Sequence, residues 1–332
     1  MRQEDIQSIV DLRAFPGDTS EAKLIETHIS WVILSPEFAF KIKKPIKVEF
    51  LDYSTLKQRA FFCKKEYSLN KRLAPEVYLG VLPIGIENGN YRIGAEPAVD
   101  YAVHMKRIDS SLQMDLLLDQ NPFPTERLLD LAEILVRFHQ KVRINEPIHY
   151  APSSVWNDYE DLFTWEPAMH EVLGEAMAKS LREKSAELAR HIPDLDERFL
   201  KRALAGFWVE GHGDLHSRNI FLSDPPIAFD CIEFSKHFRQ MDVLSELAFL
   251  VMDLELRKRQ DLGTLFMETY RQHWEVMPEA SDAWLFTFFK AYRANVRLKI
   301  ILIEWEQKHR PALKVQAAAY AQLLEFYLDE LI

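Results

Sequence analysis

The sequence predicts an α+β chain of two lobes: a small mixed β-sheet lobe carrying one helix, then a larger, mainly helical lobe. Three observations predict it. Short β-branched and aromatic runs crowd residues 22 to 106. Amphipathic helical stripes dominate from residue 125 to the end. A single compact β segment, 207–230, interrupts those stripes. The lobes therefore divide as 1–106 and 107–332.

The elements follow in order. Lys23–His28, Trp31–Leu34 and Phe38–Lys43 read as strands, because branched and aromatic side chains fit a pleated, half-buried surface. Ser35-Pro36-Glu37 is the turn between the last two. A helix starts after Thr55, a good N-cap with Gln58 three positions on to complete a capping box, and Leu73-Ala74-Pro75 ends it. Strands near Leu79–Ile84, Tyr91–Ile93 and Tyr101–Met105 close the first lobe. The second opens with a helix over Glu126–Val142, where Leu129, Leu131, Ile134, Leu135 and Phe138 form a stripe. Residues 152–204 read as helical without a clear layout. After the β segment come helices at Asp242–Arg257, Leu262–Trp274, Ala283–Trp305 and Ala312–Leu331.

Composition bounds the function. With 332 residues, 48% of them hydrophobic, the chain can bury a sizeable core. Its formal net charge of −10 lacks the basic excess of a general nucleic-acid binder, so no nucleic-acid partner is expected. Two cysteines, Cys63 and Cys231, do not make a disulfide scaffold and suggest a reducing compartment. The N-terminus has no apolar signal core, and no run approaches the roughly 18 apolar residues of a membrane span. The expected location is the cytoplasm, away from membranes.

The chemistry concentrates in His212-Gly213-Asp214-Leu215-His216-Ser217-Arg218-Asn219. It follows the strand-like Trp208-Val209-Glu210 and precedes Ile220-Phe221-Leu222, the turn Ser223-Asp224-Pro225-Pro226, and Ile227-Ala228-Phe229-Asp230. That pattern is a tight hairpin, whose two ends, Asn219 and Asp230, must meet. Phosphoryl transfer asks for one carboxylate to orient a hydroxyl and accept its proton, and for an amide oxygen and a second carboxylate to hold Mg²⁺ on the phosphates. Asp214, Asn219 and Asp230 supply one of each. Taken singly, His212 and His216 read equally well as ordinary loop histidines, Asn219 as a turn residue and Asp230 as a strand-end acid.

H-G-D-L-H-x-x-N, followed by an apolar hairpin and Asp, resembles the aminoglycoside phosphotransferases and related choline-kinase-like enzymes, which share the protein-kinase fold. The resemblance implies a two-lobed protein-kinase-like fold that binds ATP and Mg²⁺ and phosphorylates a hydroxyl of a small molecule. By it, Asp214 is the catalytic base, His212 buttresses the loop, and Asn219 and Asp230 are metal ligands. Longer segments, among them Glu26–Val32, Phe50–Leu56, Leu73–Gly80 and Tyr292–Arg297, are similar to a bacterial group of aminoglycoside-phosphotransferase-like proteins with no settled substrate. Some members carry a second, P-loop domain after the kinase-like one. The resemblance covers most of the chain.

The nucleotide side follows from the same resemblance. Kinases need a lysine on the phosphates and a helix glutamate to hold it. Lys41 ends an apolar run on a strand. In the helix after Thr55, Phe62, Glu66, Leu69 and Leu73 share one face, so Glu66 interrupts an apolar stripe and needs a partner. A Lys41–Glu66 pair meets both needs. Lys43, two positions on and on the same strand face, is the rival, and Lys44 faces solvent. Met105 matches the residue behind the adenine pocket, with the backbones of Lys106 and Ile108 offering hydrogen bonds. There is no G-x-G-x-x-G; its place falls to Thr27-His28-Ile29-Ser30, where Ser30 could touch a phosphate, and its absence leans away from a protein kinase. Asp242 is expected to cap a helix and, by resemblance, to brace the catalytic loop; Glu246 has no assignment. Lys290, Arg293 and Arg297 share a helix side that would suit an anionic substrate or simply be solvated or salt-bridged. Competing readings are an atypical protein Ser/Thr kinase, a non-catalytic nucleotide-binding module, and a metal-dependent hydrolase built on His212, Asp214 and His216.

Overall fold

The computed structural model describes residues 1–48, 51–144 and 152–332. Phe50, part of one family-like segment, lies outside them. Contacts group the chain into two compact units: Met1–Leu117 with Asn219–Phe238, and Leu118–Arg218 with Arg239–Ile332.

The first unit begins with a helix that no sequence feature above anticipated, α1 (Gln3–Asp11), whose Ile6 and Ile9 are fully buried. Strands β1 (Lys23–Glu26), β2 (Ser30–Leu34) and β3 (Phe38–Lys43) follow, then the short β4 (Lys47–Val48) and β5 (Leu51–Asp52). Helix α2 (Leu56–Asn70) starts at Thr55, which makes the expected capping box with Gln58. Strands β6 (Tyr78–Glu87), β7 (Asn90–Ile93) and β8 (Asp100–Lys106) and the single turn α3 (Met114–Leu117) complete this stretch. The sheet runs β1-β2-β3-β8-β6-β7, with every pairing antiparallel, so it is an antiparallel sheet where a mixed one was expected. Strand periodicity sorts β3 cleanly. Phe40 and Ile42 join Ile6, Ile9, Phe15, Trp31 and Ile33 on one face; Ala39 joins Cys63, Tyr78, Val103 and Met105 on the other. Lys41 and Lys43 belong to that second face by the same alternation.

The second unit opens with α4 (Thr125–Lys141), then α5 (Pro152–Glu160), α6 (Glu166–Leu173), α7 (Glu175–Leu188) and α8 (Ile192–Leu204), and the strand β9 (Trp208–Glu210). The chain then contributes to the first unit the hairpin of β10 (Ile220–Phe221) and β11 (Ile227–Ala228), paired Ile220 to Ala228. It returns with β12 (Gln240–Asp242), paired antiparallel to β9, and with α9 (Val243–Leu256), α10 (Gln260–His273), α11 (Ser281–Lys308) and α12 (Pro311–Leu331). Every residue of α9 from Val243 to Leu254 is buried. A helix hydrophobic all round can only sit among others, and α9 packs against α10, α11 and α12. No described helix is long and apolar enough to cross a membrane.

The sequence placed α2's buried face on Phe62, Glu66, Leu69 and Leu73. The structure turns it to Arg59, Cys63, Glu66 and Asn70. Three of those four are polar, and each finds a partner: Arg59 bonds Asp100 at 2.9 Å, Glu66 meets lysines, and Asn70 Oδ1 accepts the Cys231 N–H at 2.8 Å. An apolar stripe could not foretell a face buried through polar pairing.

Candidate active site

In the first unit, the second face of β3 projects Lys41 and Lys43 at α2. Glu66, fully buried, pairs with both: Oε1 lies 3.0 Å from Lys41 Nζ as an ion pair, and Oε2 accepts from Lys43 Nζ at 2.6 Å. Lys41 also meets Asp230 Oδ1 at 2.5 Å. Lys43 also bonds the carboxylate of Glu233 and the hydroxyl of Tyr53, the latter at 3.3 Å, and Tyr53 in turn donates to Glu233. The expected Lys41–Glu66 pair is present, and the rival lysine shares it.

Charge explains the ionisation of the group. Burial pulls Lys41 toward neutrality, but Asp230, Glu66 and Glu233 outweigh it and hold the ammonium well above its ordinary value. Burial would likewise raise Glu66, yet the two lysines bring it down to about 2.

Asn219 and Asp230 occupy the two ends of the β10–β11 hairpin, where the Phe229 N–H donates to Asn219 O at 3.0 Å. Asp230 has φ of +63°, a left-handed conformation that Asp tolerates better than most residues. Its N–H donates to Tyr78 Oη at 3.3 Å, and its side chain is 43% exposed. Met105 is buried on β8 beside Ala39 and Tyr78. The Lys106 N–H is committed to Val77 O, so any base recognition at Lys106 falls to its carbonyl. Ser30 is buried, with its N–H donating to Thr27 Oγ1 at 2.9 Å, so Thr27 closes the glycine-free turn.

In the second unit, the segment after β9 is held by carboxylates. Glu246, fully buried on α9, accepts the N–H of His212 at 2.7 Å and of Gly213 at 2.9 Å, and meets His139 Nε2 at 3.1 Å. Asp253 accepts from the N–H of Ser217 at 2.9 Å and from its hydroxyl. The Arg293 guanidinium donates to Gly213 O at 3.3 Å. Glycine at 211 leaves room for this carboxylate, since a Cβ there would lie 2.4 Å from Glu246 Oε2 and the side chain would have to shift. Gly213 takes φ of +87°, which a side chain would strain. Burial would raise the Asp214 carboxyl, but His216, Arg297 and His212 outweigh it and hold it well below the carboxylate range. His216 Nε2 points at Asp214 Oδ2, 3.4 Å away, and His212 Nδ1 faces the Asp214 N–H at 3.3 Å. The two histidines thus meet different parts of Asp214, its carboxylate and its N–H.

One expectation changes. Asp242 caps α9 through the Leu244 N–H, as expected, but its carboxylate is spent on Arg202, at 2.6 and 2.8 Å, and not on the loop. Glu246, one helical turn further, takes the bracing role, because that turn carries its side chain back onto His212 and Gly213. The basic side of α11 is engaged within the protein, and at Lys290 it follows the salt-bridged alternative. Lys290 pairs with Glu255 at 3.0 Å, Arg293 is buried against backbone oxygens, and Arg297 lies over the Tyr320 ring. Sequence reasoning missed Glu246, Glu233, Tyr53 and His139. Glu246 alone left a signal, an acid inside an apolar helix, the same signal that marked Glu66.

No family model matches the chain. Uncharacterized proteins of Mycobacterium tuberculosis and Mycobacterium bovis are each 33% identical over 292 residues, 85% of this chain. The chain spans about half the length, 55%, of these relatives. Among solved structures, choline kinase from Cryptosporidium parvum superposes with a TM-score of 0.53 at 14% identity, over 99% of this chain and 97% of that one. The aminoglycoside phosphotransferase APH(4)-Ia gives 0.55 at 10% identity, over 98% and 99%. A choline/ethanolamine kinase family protein from Mesorhizobium loti gives 0.51 at 16%, over 98% of each chain. The chain therefore has the protein-kinase-like fold, in the form found in aminoglycoside phosphotransferases and choline and ethanolamine kinases.

Proposed function

We propose that this protein is an ATP- and Mg²⁺-dependent phosphotransferase that moves the γ-phosphate to a hydroxyl of a small molecule. The observation that carries the reading is the Lys41 ammonium held between buried Glu66 and the hairpin-end Asp230. Lys41 would grip the nucleotide phosphates, with Glu66 fixing its position. Met105 would back the adenine, with the Lys106 carbonyl and the Ile108 backbone bonding its edge. Asn219 and Asp230 offer an amide oxygen and a carboxylate, hard donors of the kind Mg²⁺ takes when phosphates and waters complete its shell. Lys41 already stands as a cation on that carboxylate. Bound there, Mg²⁺ would neutralise charge on the phosphate oxygens.

Asp214 would orient the acceptor hydroxyl and take its proton. A carboxylate held at low pKa is a weak base but a good acceptor of a hydrogen bond, which suits a loose transition state in which the proton leaves late. Glu246, Arg293 and Asp253 would keep the loop rigid beneath it. The glycine-free turn at Thr27–Ser30 favours a small-molecule kinase over a protein kinase. The domain roles follow: residues 1–106 bind nucleotide, and 107–332 carry the loop and the acceptor cleft. Two buried free thiols agree with a cytoplasmic setting.

The test is a screen of hydroxylated metabolites and aminoglycosides for ATP- and Mg²⁺-dependent phosphorylation. Asp214→Ala should lower turnover about 10²–10⁴-fold while nucleotide affinity holds, and Asp230→Ala should weaken Mg·ATP binding. Equal turnover by wild type and Asp214→Ala refutes the assigned base.

A further inference from the structure

Lys43 is the most buried cation of the first unit, with none of its side chain exposed, and the proposed chemistry leaves it unused. Its surroundings are specific. An ammonium has three N–H donors. Lys43 directs them at three oxygens: Glu66 Oε2, Glu233 Oε1 and Tyr53 Oη. Its donors are all spent on protein, so it has none for a phosphate. Lys41 differs: it has two carboxylate partners, Glu66 and Asp230, a side chain 12% exposed, and a third donor to offer.

The two lysines divide Glu66 between them, one oxygen each. Lys43 in turn ties that carboxylate to Glu233, three residues beyond Asp230, and Tyr53 closes the cluster by donating to Glu233 while its ring lies 4.7 Å under the Lys43 ammonium. The charges set the design. Lys41 and Lys43 together balance Glu66 and Glu233, which leaves Asp230 as the surplus negative charge. Without Lys43, Glu66 would be held by Lys41 alone, and Glu233 would lose its ammonium donor and keep the Tyr53 hydroxyl.

We infer that Lys43, with Glu233 and Tyr53, is a positioning cluster: it locks the Glu66 carboxylate and so fixes the Lys41 ammonium for the nucleotide. In kinases whose glutamate-bearing helix moves, activity is set by making and breaking the lysine–glutamate pair. Here a second lysine anchors the glutamate from its other oxygen, and the helix has no free carboxylate edge about which to swing. The clamp is built to stay closed without a regulator. This inference rests on the nucleotide-binding role proposed for Lys41.

The test is a double-mutant cycle on Mg·ATP affinity, measured by calorimetry on the full chain, with Lys41→Met, Lys43→Met and the double variant. A thermal melt confirms that each is folded. Residues coupled through a shared partner interact strongly enough to expect about a tenfold loss from Lys43→Met in the wild-type background and less than about twofold in the Lys41→Met background. A general structural role would instead weaken binding equally in both backgrounds; that result, or an unchanged affinity in Lys43→Met, overturns the inference. If Lys43→Met lacks a cooperative melt, Lys43→Met combined with Glu233→Met removes both buried charges and is held to the same criteria. Wild-type protein that binds no Mg·ATP overturns the proposed function instead, a separate outcome visible before any variant is made.

Discussion

Glu66 and Glu246 are two solutions to one problem. Each is a fully buried glutamate on a helix, and each carboxyl is held down at about 2. Glu66 is stabilised by charge, through two lysine ammonium groups. Glu246 is stabilised mainly by hydrogen bonds, from His139 and from the backbone N–H groups of His212 and Gly213. The difference suits the two proposed tasks. A phosphate clamp would need a cation that keeps its charge near an oxygen-rich ligand, which ionic support provides. A catalytic loop would need fixed backbone geometry, which directional support provides.

Breaking the ionic solution should cost most. Glu66→Ala leaves Lys41 and Lys43 short of a buried counter-charge, and removing one partner of such a pair costs about 3–5 kcal/mol. Urea unfolding should show that loss, and a loss under about 1 kcal/mol would mean that Glu233 and Asp230 suffice for both lysines.

Acid should erode both solutions together. In the unfolded chain these carboxyls titrate near 4.5, in the folded chain near 2. Between those values the unfolded state binds more protons, so both contributions are complete above about pH 4.5 and fade as the pH falls toward 2. Glu246→Gln should flatten the acid limb of the stability curve in that window. A limb of unchanged slope would show that Glu246 does not titrate differently on folding.

The mildest probe of the directional solution is Gly211→Ala. The added methyl reaches within 2.4 Å of Glu246 Oε2. The carboxylate must shift, at a cost of about 1–3 kcal/mol, and turnover should fall more than nucleotide affinity does. Wild-type turnover in a folded Gly211→Ala protein would show that the loop tolerates a displaced Glu246.

Much of the fold was legible because it rests on local rules. Thr55 and Gln58 announced α2, alternation announced β3 to the residue, and the turn at Ser223–Pro226 announced the hairpin that brings Asn219 and Asp230 together. The three-residue β12 was not legible, since so short a run carries no period of its own and exists only by pairing with β9. The α2 face was misread because Arg59 and Asn70 are buried by partners on distant segments. The resemblance credited Asp242 with the bracing that Glu246 performs one helical turn on, and the sequence does not tell which turn faces the loop.

The sequence by itself determined the chemistry available: a carboxylate, an amide and a second carboxylate in one loop-and-hairpin segment, and an acid stranded in each of two helices. Covalent spacing and periodicity suffice for that. Only the tertiary structure decided how the partners were shared. Lys41 and Lys43 are equivalent by strand alternation, and the side chains that separate them are Asp230 on one and Glu233 with Tyr53 on the other. Those contacts span from ten to 190 residues of sequence. No local pattern encodes which of two neighbouring ammonium groups fills its last donor with protein and which keeps one for a ligand.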